Sequence, residues 1–342
     1  MSSATMNANN EVDSYHSFDL HSVVAIKNRK AILTPGPGSL LPENLLGIVP
    51  CFGRGDPEYQ AIETRVLTSL RRMTGHGRIA RMQGSASLAL EIAIRNFVAG
   101  RTLLIDTGYY AQRLVGFCRS ALSHGAISSL DVVPFSACES VHGHYDWIVT
   151  VFTETSTGLL NDIRNMRALA ERVGARLMVD ATGSIGLEDG HELANVIAYS
   201  SCKGLFGLTG ASFVAYNSEP EAEETSFFLS LTTHVEHKVT GPYHAICALD
   251  QVLSRHSDLR ESVRIGKDVF CKRFADRLVR SADKQPLLCT LLRGTVKPLD
   301  DYVVLYQPRS IEPGTSVVCH IGEGHLGRKA RGDIYARIDV VD

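Results

Sequence analysis

One lysine stands in unusually apolar surroundings within the stretch AYSSCKGLFGLTG, residues 198–210. Lys203 follows the apolar run 196–199, its near neighbours are small, apolar or glycine, and the next charged residue downstream is Glu219. Removal of an ammonium group from water lowers its pKa, and the neutral amine is then a nucleophile that forms a Schiff base with a carbonyl group. The sequence therefore marks Lys203 as a candidate for covalent chemistry.

A carboxylate stands at the end of the preceding strand-like segment. Asp180 closes RLMVD (176–180), and Lys203 follows the next such segment. A turn carboxylate is a common alternative at such a position. In a parallel sheet, however, both strand ends face one crevice. An acid and an amine there suit a cofactor with a pyridine nitrogen and an aldehyde, which are the features of pyridoxal phosphate.

Small residues (glycine, serine and alanine) at 84–87 lead into the helical pattern SLALEIAIRNFVA (87–99). Free N–H groups and the dipole at a helix start bind phosphate. Ordinary N-capping explains Ser85 by itself. Beside Lys203 and Asp180, the pattern favours a phosphate site at Ser85 and Ala86.

Two further segments supply side chains suited to a flat, polar ligand. The run TETSTGLLND (153–162) gives hydroxyl groups after a buried strand, which either line a pocket or satisfy local backbone groups. Tyr109 and Tyr110 can stack on a ring or pack at a helix start. GEGHLG (322–327) lacks the following residues that a dinucleotide-binding unit needs, and HGH (142–144) has no further metal ligand nearby. No metal site is expected.

Composition excludes several classes of partner. The 342 residues are 44% hydrophobic and 21% charged, and the net charge is −2. This balance gives no basic excess to hold nucleic acid or an anionic membrane, and the apolar runs are only strand-sized. Eight cysteines without a CxxC pair, and a polar start without an apolar signal region, indicate a cytoplasmic protein.

The elements that must position these residues alternate between strand-like and helical patterns after residue 80. Such alternation predicts an α/β fold with a mainly parallel sheet between two helical layers. We expect a flexible N-terminal arm (1–30), a large domain (31–240) and a small α+β domain (241–342), with one long helix at about 242–280. The strand-like runs of the small domain are PLLCTLL, TSVVCHI and IYARIDVV.

Several short motifs together resemble the class V aminotransferases, a group of fold-type I pyridoxal-phosphate enzymes. QGSASLALE, TGYYAQR, ETSTGLLN, VDATGSIG and SSCKGLFG occur in the family's order and at similar spacing. The similarity is greatest to the 2-aminoethylphosphonate–pyruvate transaminases and extends from LTPGP (33–37) to about residue 250. Relatives continue further at the C-terminus, so a shortened small domain is expected.

The resemblance implies roles for residues around the cofactor. Lys203 would form the Schiff base and carry the proton, and Asp180 would pair with the pyridine nitrogen. Ser85, Ala86 and Ser201 would hold the phosphate.

Further implied roles concern the ring, the substrate and a second subunit. Tyr110 would stack on the ring, and Thr155 would lie near its oxygen. Thr240 would reach the phosphate of a partner subunit, which implies a homodimer with shared sites. Arg337 would bind the substrate carboxylate, and Arg54 would stand at the entrance.

The expected activity is transamination between a small amine or amino acid and a 2-oxo acid such as pyruvate. Alanine or serine with glyoxylate is the second substrate class, and lyase or decarboxylating chemistry on the same cofactor is an alternative. A non-catalytic binding protein is disfavoured because Lys203 and Asp180 are both present.

Overall fold

A computed structural model describes residues 19–49, 53–222 and 224–342 of the chain. Most of the predicted N-terminal arm (1–30) and Cys51 therefore lie outside the described residues. The remainder of that arm contains a helix, Leu20–Lys27, whose first turn is capped by the side chain of Asp19. The predicted domain boundaries remain predictions.

The helices found in the described residues follow one another along the chain as α1 (Leu20–Lys27), α2 (Pro42–Leu46), α3 (Pro57–Thr74), α4 (Ala86–Phe97), α5 (Tyr109–Ser123), α6 (Ile163–Val173), α7 (Leu231–Val235), α8 (Tyr243–Leu253), α9 (His256–Arg273) and α10 (Arg328–Tyr335). None of these described helices has the length and apolar character that a bilayer crossing requires.

The strands in the same residues are β1 (Ala31–Leu33), β2 (Arg78–Gln83), β3 (Gly100–Asp106), β4 (Ile127–Pro134), β5 (Trp147–Val151), β6 (Thr153–Glu154), β7 (Leu159–Leu160), β8 (Arg176–Asp180), β9 (Val196–Ser200), β10 (Ala211–Tyr216), β11 (Cys289–Arg293), β12 (Thr295–Pro298), β13 (Val303–Leu305), β14 (Thr315–Cys319) and β15 (Ile338–Val341).

A seven-stranded sheet forms the centre of the fold, with the order β2-β10-β9-β8-β5-β3-β4. The pairs from β9 through β8, β5 and β3 to β4 are parallel, whereas β10 runs antiparallel to both β9 and β2. The central strands β5, β8 and β9 end at the same edge, as the alternation of strands and helices predicts. The mainly parallel α/β sheet is therefore confirmed.

Apolar side chains cover both faces of this sheet because successive residues of a strand point in opposite directions. In β8, Leu177 and Val179 pack into one cluster with residues of α3, α6 and α8. Met178 packs into the other cluster with residues of α4 and α5. Every residue of β5 and of β9 is buried. The sheet thus lies between two helical layers.

The C-terminal part forms small two-stranded sheets beside the large one. β11 pairs with β14 and β12 with β15, both antiparallel, and β1 pairs in parallel with β13. Ala31 and Leu33 of β1 are buried in one cluster with Phe270, Val303 and Tyr335. β1, which the sequence-based boundary puts in the large domain, therefore packs with residues from the C-terminal part.

The single helix predicted at about 242–280 is wrong, because two helices occupy this stretch. α8 ends at Leu253 and α9 begins at His256, with Arg255 between them in a non-helical conformation (φ −114°, ψ 12°). The His256 Nε2 atom lies 2.8 Å from the carbonyl oxygen of Gly204. This tertiary contact fixes the start of α9 against the turn that carries Lys203.

Candidate active site

A cavity of about 500 Å³ lies at the carboxyl ends of β5, β8 and β9. Parallel strands deliver their following turns to one edge, so residues distant in sequence meet there. The lining residues belong to the segments 34–36, 85–90, 110–113, 153–155, 180–183, 200–203 and 306–309.

Lys203 lines this cavity from the turn that follows β9. Backbone bonds from Gly207 N to the Ser201 oxygen, 2.9 Å, and from Phe206 N to the Lys203 oxygen, 2.8 Å, close the turn. The Lys203 Nζ atom lies 5.3 Å from the centre of the Tyr110 ring. The turn thus holds a half-buried amine toward an aromatic face.

Two glycines allow backbone segments to pack directly against the lysine turn. Gly36 has a φ of +125°, and a Cβ there would lie 2.7 Å from the Cys202 oxygen. A Cβ at Gly204 would lie 2.1 Å from the carbonyl oxygen of Ile185. The position of Lys203 therefore depends on side-chain-free neighbours.

We expect Gly204→Ala to destabilise the protein by about 2 kcal/mol or more, because the added methyl group must displace backbone in a packed region. Thermal unfolding should show a lowered Tm. Gly116→Ala in α5 is the matched control, since a Cβ there meets nothing within 4 Å, and alanine favours a helix by up to about 1 kcal/mol over glycine. Equal Tm values for Gly204→Ala and the unchanged protein would show that the turn accommodates a side chain.

Asp180 is the last residue of β8 and is 4% exposed. Its Oδ1 atom accepts a hydrogen bond from the Thr182 backbone N–H at 2.8 Å. Burial raises the pKa of Asp180, against the lowering effects of hydrogen bonds from Thr182 and the charges of Lys203 and Arg113. A buried carboxyl group and the lysine thus face the same cavity.

The start of α4 supplies an open set of polar groups. Ser85 is the N-cap residue, yet its hydroxyl makes no capping bond. Ser85, Ala86 and Ser87 all line the cavity, and the Nη1 atom of Arg113 donates to the Ser87 hydroxyl at 2.8 Å. Helix-start N–H groups with a neighbouring guanidinium favour phosphate. The buried Thr153 hydroxyl has no partner among the described residues, so this site fits a polar ligand.

Tyr110 and Thr155, two of the predicted site residues, also line the cavity. The backbone N–H groups of Tyr110 and Ala111 donate to Glu154 Oε2 at 3.1 and 3.3 Å. This buried carboxylate therefore caps the start of α5 and fixes the Tyr110 backbone. The Tyr110 hydroxyl lies 3.3 Å from that of Tyr306.

Four predicted site residues are not among those that line the cavity. The Ser201 hydroxyl donates to backbone oxygens of Leu208 and Ala211 within its own turn, whereas Ser200 lines the cavity. The other three, which are exposed, are Arg54, Thr240 and Arg337.

Arg54 and Arg337 have partners of their own. Arg54 donates to the His237 oxygen, in the loop that leads to Thr240. Arg337 Nη1 lies 2.6 Å from Asp300 Oδ2, and its guanidinium lies 4.7 Å from the centre of the Tyr302 ring.

Several residues that line the cavity were given no role from the sequence, among them Arg113, Tyr306 and Arg309. Arg113 follows Tyr110 by three positions on α5, a spacing that brings both side chains to one helix face, so the motif TGYYAQR contained a signal for it. No local pattern marks Tyr306 and Arg309. They follow β13, which pairs with β1, and the segment after β1 lines the same cavity.

Comparison with known proteins shows which fold and which enzymes the chain is similar to. It is 26% identical over 262 residues to a 2-aminoethylphosphonate–pyruvate transaminase of Pseudomonas putida, covering 68% of this chain and 70% of that protein. Another such transaminase, from Pseudomonas aeruginosa, is 27% identical over 256 residues, covering 66% and 68%. No family model matches the chain.

Among solved structures, an aspartate aminotransferase from Thermus thermophilus superposes with a TM-score of 0.77 at 17% identity, over 90% of this chain and 97% of that one. A pyridoxamine–pyruvate aminotransferase from Mesorhizobium loti gives 0.72 at 19% identity, over 89% and 88%. The predictions of fold, enzyme and cofactor are confirmed by these comparisons. The chain has the fold-type I architecture of the aminotransferases and is an enzyme whose cofactor is pyridoxal phosphate.

Proposed function

We propose that this enzyme moves an amino group between a small amine resembling 2-aminoethylphosphonate and a 2-oxo acid such as pyruvate. The observation that carries the proposal is the meeting of Lys203, Asp180 and the uncapped start of α4 in one cavity. The names of the Pseudomonas relatives support the substrate pair.

In this proposal, the residues nearest the cofactor have distinct tasks. When bound, pyridoxal phosphate supplies an electron sink for charge that develops on the substrate carbon. Lys203 would hold the cofactor covalently, and its Nζ atom would accept and return the substrate proton. Asp180 holds a proton on the pyridine nitrogen. Ser85 and Ala86, with Arg113, hold the phosphate.

The remaining cavity residues orient the ring. Tyr110 offers its aromatic face, and Thr155 offers a hydroxyl toward the ring oxygen. Ser201 shapes the lysine turn in this scheme, because its hydroxyl already donates to backbone oxygens.

We further propose a homodimer in which Thr240 contributes to the partner's phosphate site. Thr240 is exposed and lies outside its own cavity lining, as a residue that serves a second subunit must. Arg54 holds the same loop by donating to the His237 oxygen.

We also propose a cytoplasmic location. The seven described cysteines are free thiols, which supports this proposal.

Visible absorption tests the proposal directly. Purified protein with added pyridoxal phosphate should show a visible band, which 2-aminoethylphosphonate should remove and pyruvate restore. If alanine removes the visible band and glyoxylate restores it, the second substrate class would be favoured instead. Release of carbon dioxide or a cleaved product without an acceptor would favour lyase or decarboxylating chemistry. Protein that stays colourless with added cofactor would reject the proposal.

A further inference from the structure

Two arginines line the cavity, and neither has an acidic partner within 4 Å among the described residues. Arg113 donates to Ser87 and its charge acts on Asp180, so it belongs to the side of the cavity with the α4 start. Arg309 comes from the segment after β13, and its Nη1 atom donates to the Tyr109 hydroxyl at 3.2 Å. The cavity therefore contains a second cation that the proposed cofactor contacts do not use.

The sheet connection explains why Arg309 reaches this cavity. β1 and β13 pair in parallel, with Ile32 opposite Val304, so both strands run toward the same end. The segment after β1 contributes Thr34, Pro35 and Gly36 to the lining, and the segment after β13 contributes Tyr306, Gln307 and Arg309. Arg309 itself is exposed and lies four residues beyond the end of β13, so the strand pair brings its segment to the cavity.

The contact with Tyr109 leaves hydrogen-bonding capacity for a ligand. A guanidinium carries five N–H donors and has no acceptor, and a tyrosine hydroxyl that accepts from it retains its own hydrogen. The bond from Arg309, aided by its charge, lowers the pKa of Tyr109, and Arg113 adds to this effect. Arg309, which lines the cavity, and its neighbour Tyr109, which is outside the lining, therefore present adjacent donors that suit a carboxylate or phosphonate.

Arg337, to which the family resemblance gives the substrate carboxylate, lies next to a different sheet from the one that the segment of Arg309 follows. Arg337 precedes β15, whose partner β12 belongs to another two-stranded sheet. Its guanidinium is already paired with Asp300 and lies over Tyr302. Binding a substrate in the cavity would require Arg337 to leave both contacts, whereas Arg309 needs no such change.

We propose that Arg309, together with the Tyr109 hydroxyl, binds the anionic group of the substrate. This inference rests on the proposed function, and it defines the substrate class as small amines that carry a phosphonate or carboxylate group. The amine end then points toward Lys203, and the anionic end toward the segment after β13. Arg337 has no part in this recognition.

Arg309→Met and Arg309→Lys test this proposal. Arg337→Met tests the alternative that Arg337 binds the substrate. Arg119→Met is the control, because Arg119 is exposed on α5. Activity is measured with 2-aminoethylphosphonate, with β-alanine and with uncharged propylamine. Arg309→Met should raise KM for the two anionic amines roughly ten- to hundredfold, as loss of a charge-assisted hydrogen bond predicts, and leave propylamine unchanged. Arg309→Lys should recover part of the loss.

Calorimetric binding of ethylphosphonate and propionate, which lack an amine, gives a readout that is independent of turnover. Arg309→Met should weaken their binding by a similar factor, and the more affected anion identifies the preferred head group. Unchanged binding in Arg309→Met, or an equal loss in Arg337→Met, would overturn this inference while the visible cofactor band still supports the proposed function. If the protein without any substitution showed no such band, the proposed function would be rejected, and the inference with it.

Discussion

Replacement of Lys203 by alanine is expected to lower transamination by about 10⁴-fold or more, since one residue supplies both the covalent bond and the proton transfer. The variant keeps Asp180 and the α4 start, so it should still bind pyridoxal phosphate without a covalent bond. The visible spectrum should then match free cofactor. Single-turnover mixing with 2-aminoethylphosphonate measures the loss of rate.

The structure offers a matched control for this experiment. Lys272 is exposed on α9, where it pairs with Asp268 at 3.0 Å. Lys272→Ala should retain both the band and the rate, because a surface pair contributes little. If Lys203→Ala kept the spectrum of the unchanged protein, another amine would have to hold the cofactor, and the proposed role of Lys203 would be wrong.

The second large effect is expected for Asp180→Asn. The amide cannot hold a charged pyridine nitrogen, and loss of one partner from a buried ion pair costs about 3–5 kcal/mol. Expressed as a rate, this is a loss of about 10²- to 10⁴-fold in kcat. Steady-state kinetics at saturating cofactor should show the decrease, with the Lys203-dependent visible band still present.

Asp106 provides a close geometric control for Asp180. It ends β3 as Asp180 ends β8, and its Oδ1 atom likewise accepts a backbone N–H two residues later, from Gly108 at 3.1 Å. Asp106 does not line the cavity. Asp106→Asn should therefore leave kcat near that of the unchanged protein. Equal losses in the two variants would indicate a general requirement for strand-end turns and would remove the special role of Asp180.

The parts of the site that the sequence predicts are those that local pattern determines. Asp180 and Lys203 follow buried apolar strands, and a parallel sheet brings such strand ends together. Ser85 precedes a helical pattern whose first turn is open. For these residues, the secondary-structure element and the end at which they stand are nearly sufficient to predict their position in the site.

Other features depend on contacts between distant segments, which no local pattern records. The helix break at Arg255 accompanies the approach of His256 to Gly204. The hydroxyl of Ser201 bonds to Leu208 and Ala211, although its type and position suit phosphate equally well. Arg309 belongs to a segment that follows β13, and the pairing of β13 with β1 brings that segment beside residues 34–36 in the cavity lining.

The pairing of β1 with β13 also bears on when the cavity can form during synthesis of the chain. The wall of the cavity formed after β1 is complete only when residues 303–309 are also present and paired with it. Long-range pairing of this kind is slow to form, because closing the long intervening loop costs chain entropy. A nascent chain on the ribosome therefore carries Lys203 long before its cavity exists. The full set of residues that line the cavity is available only after residue 309 has been synthesised.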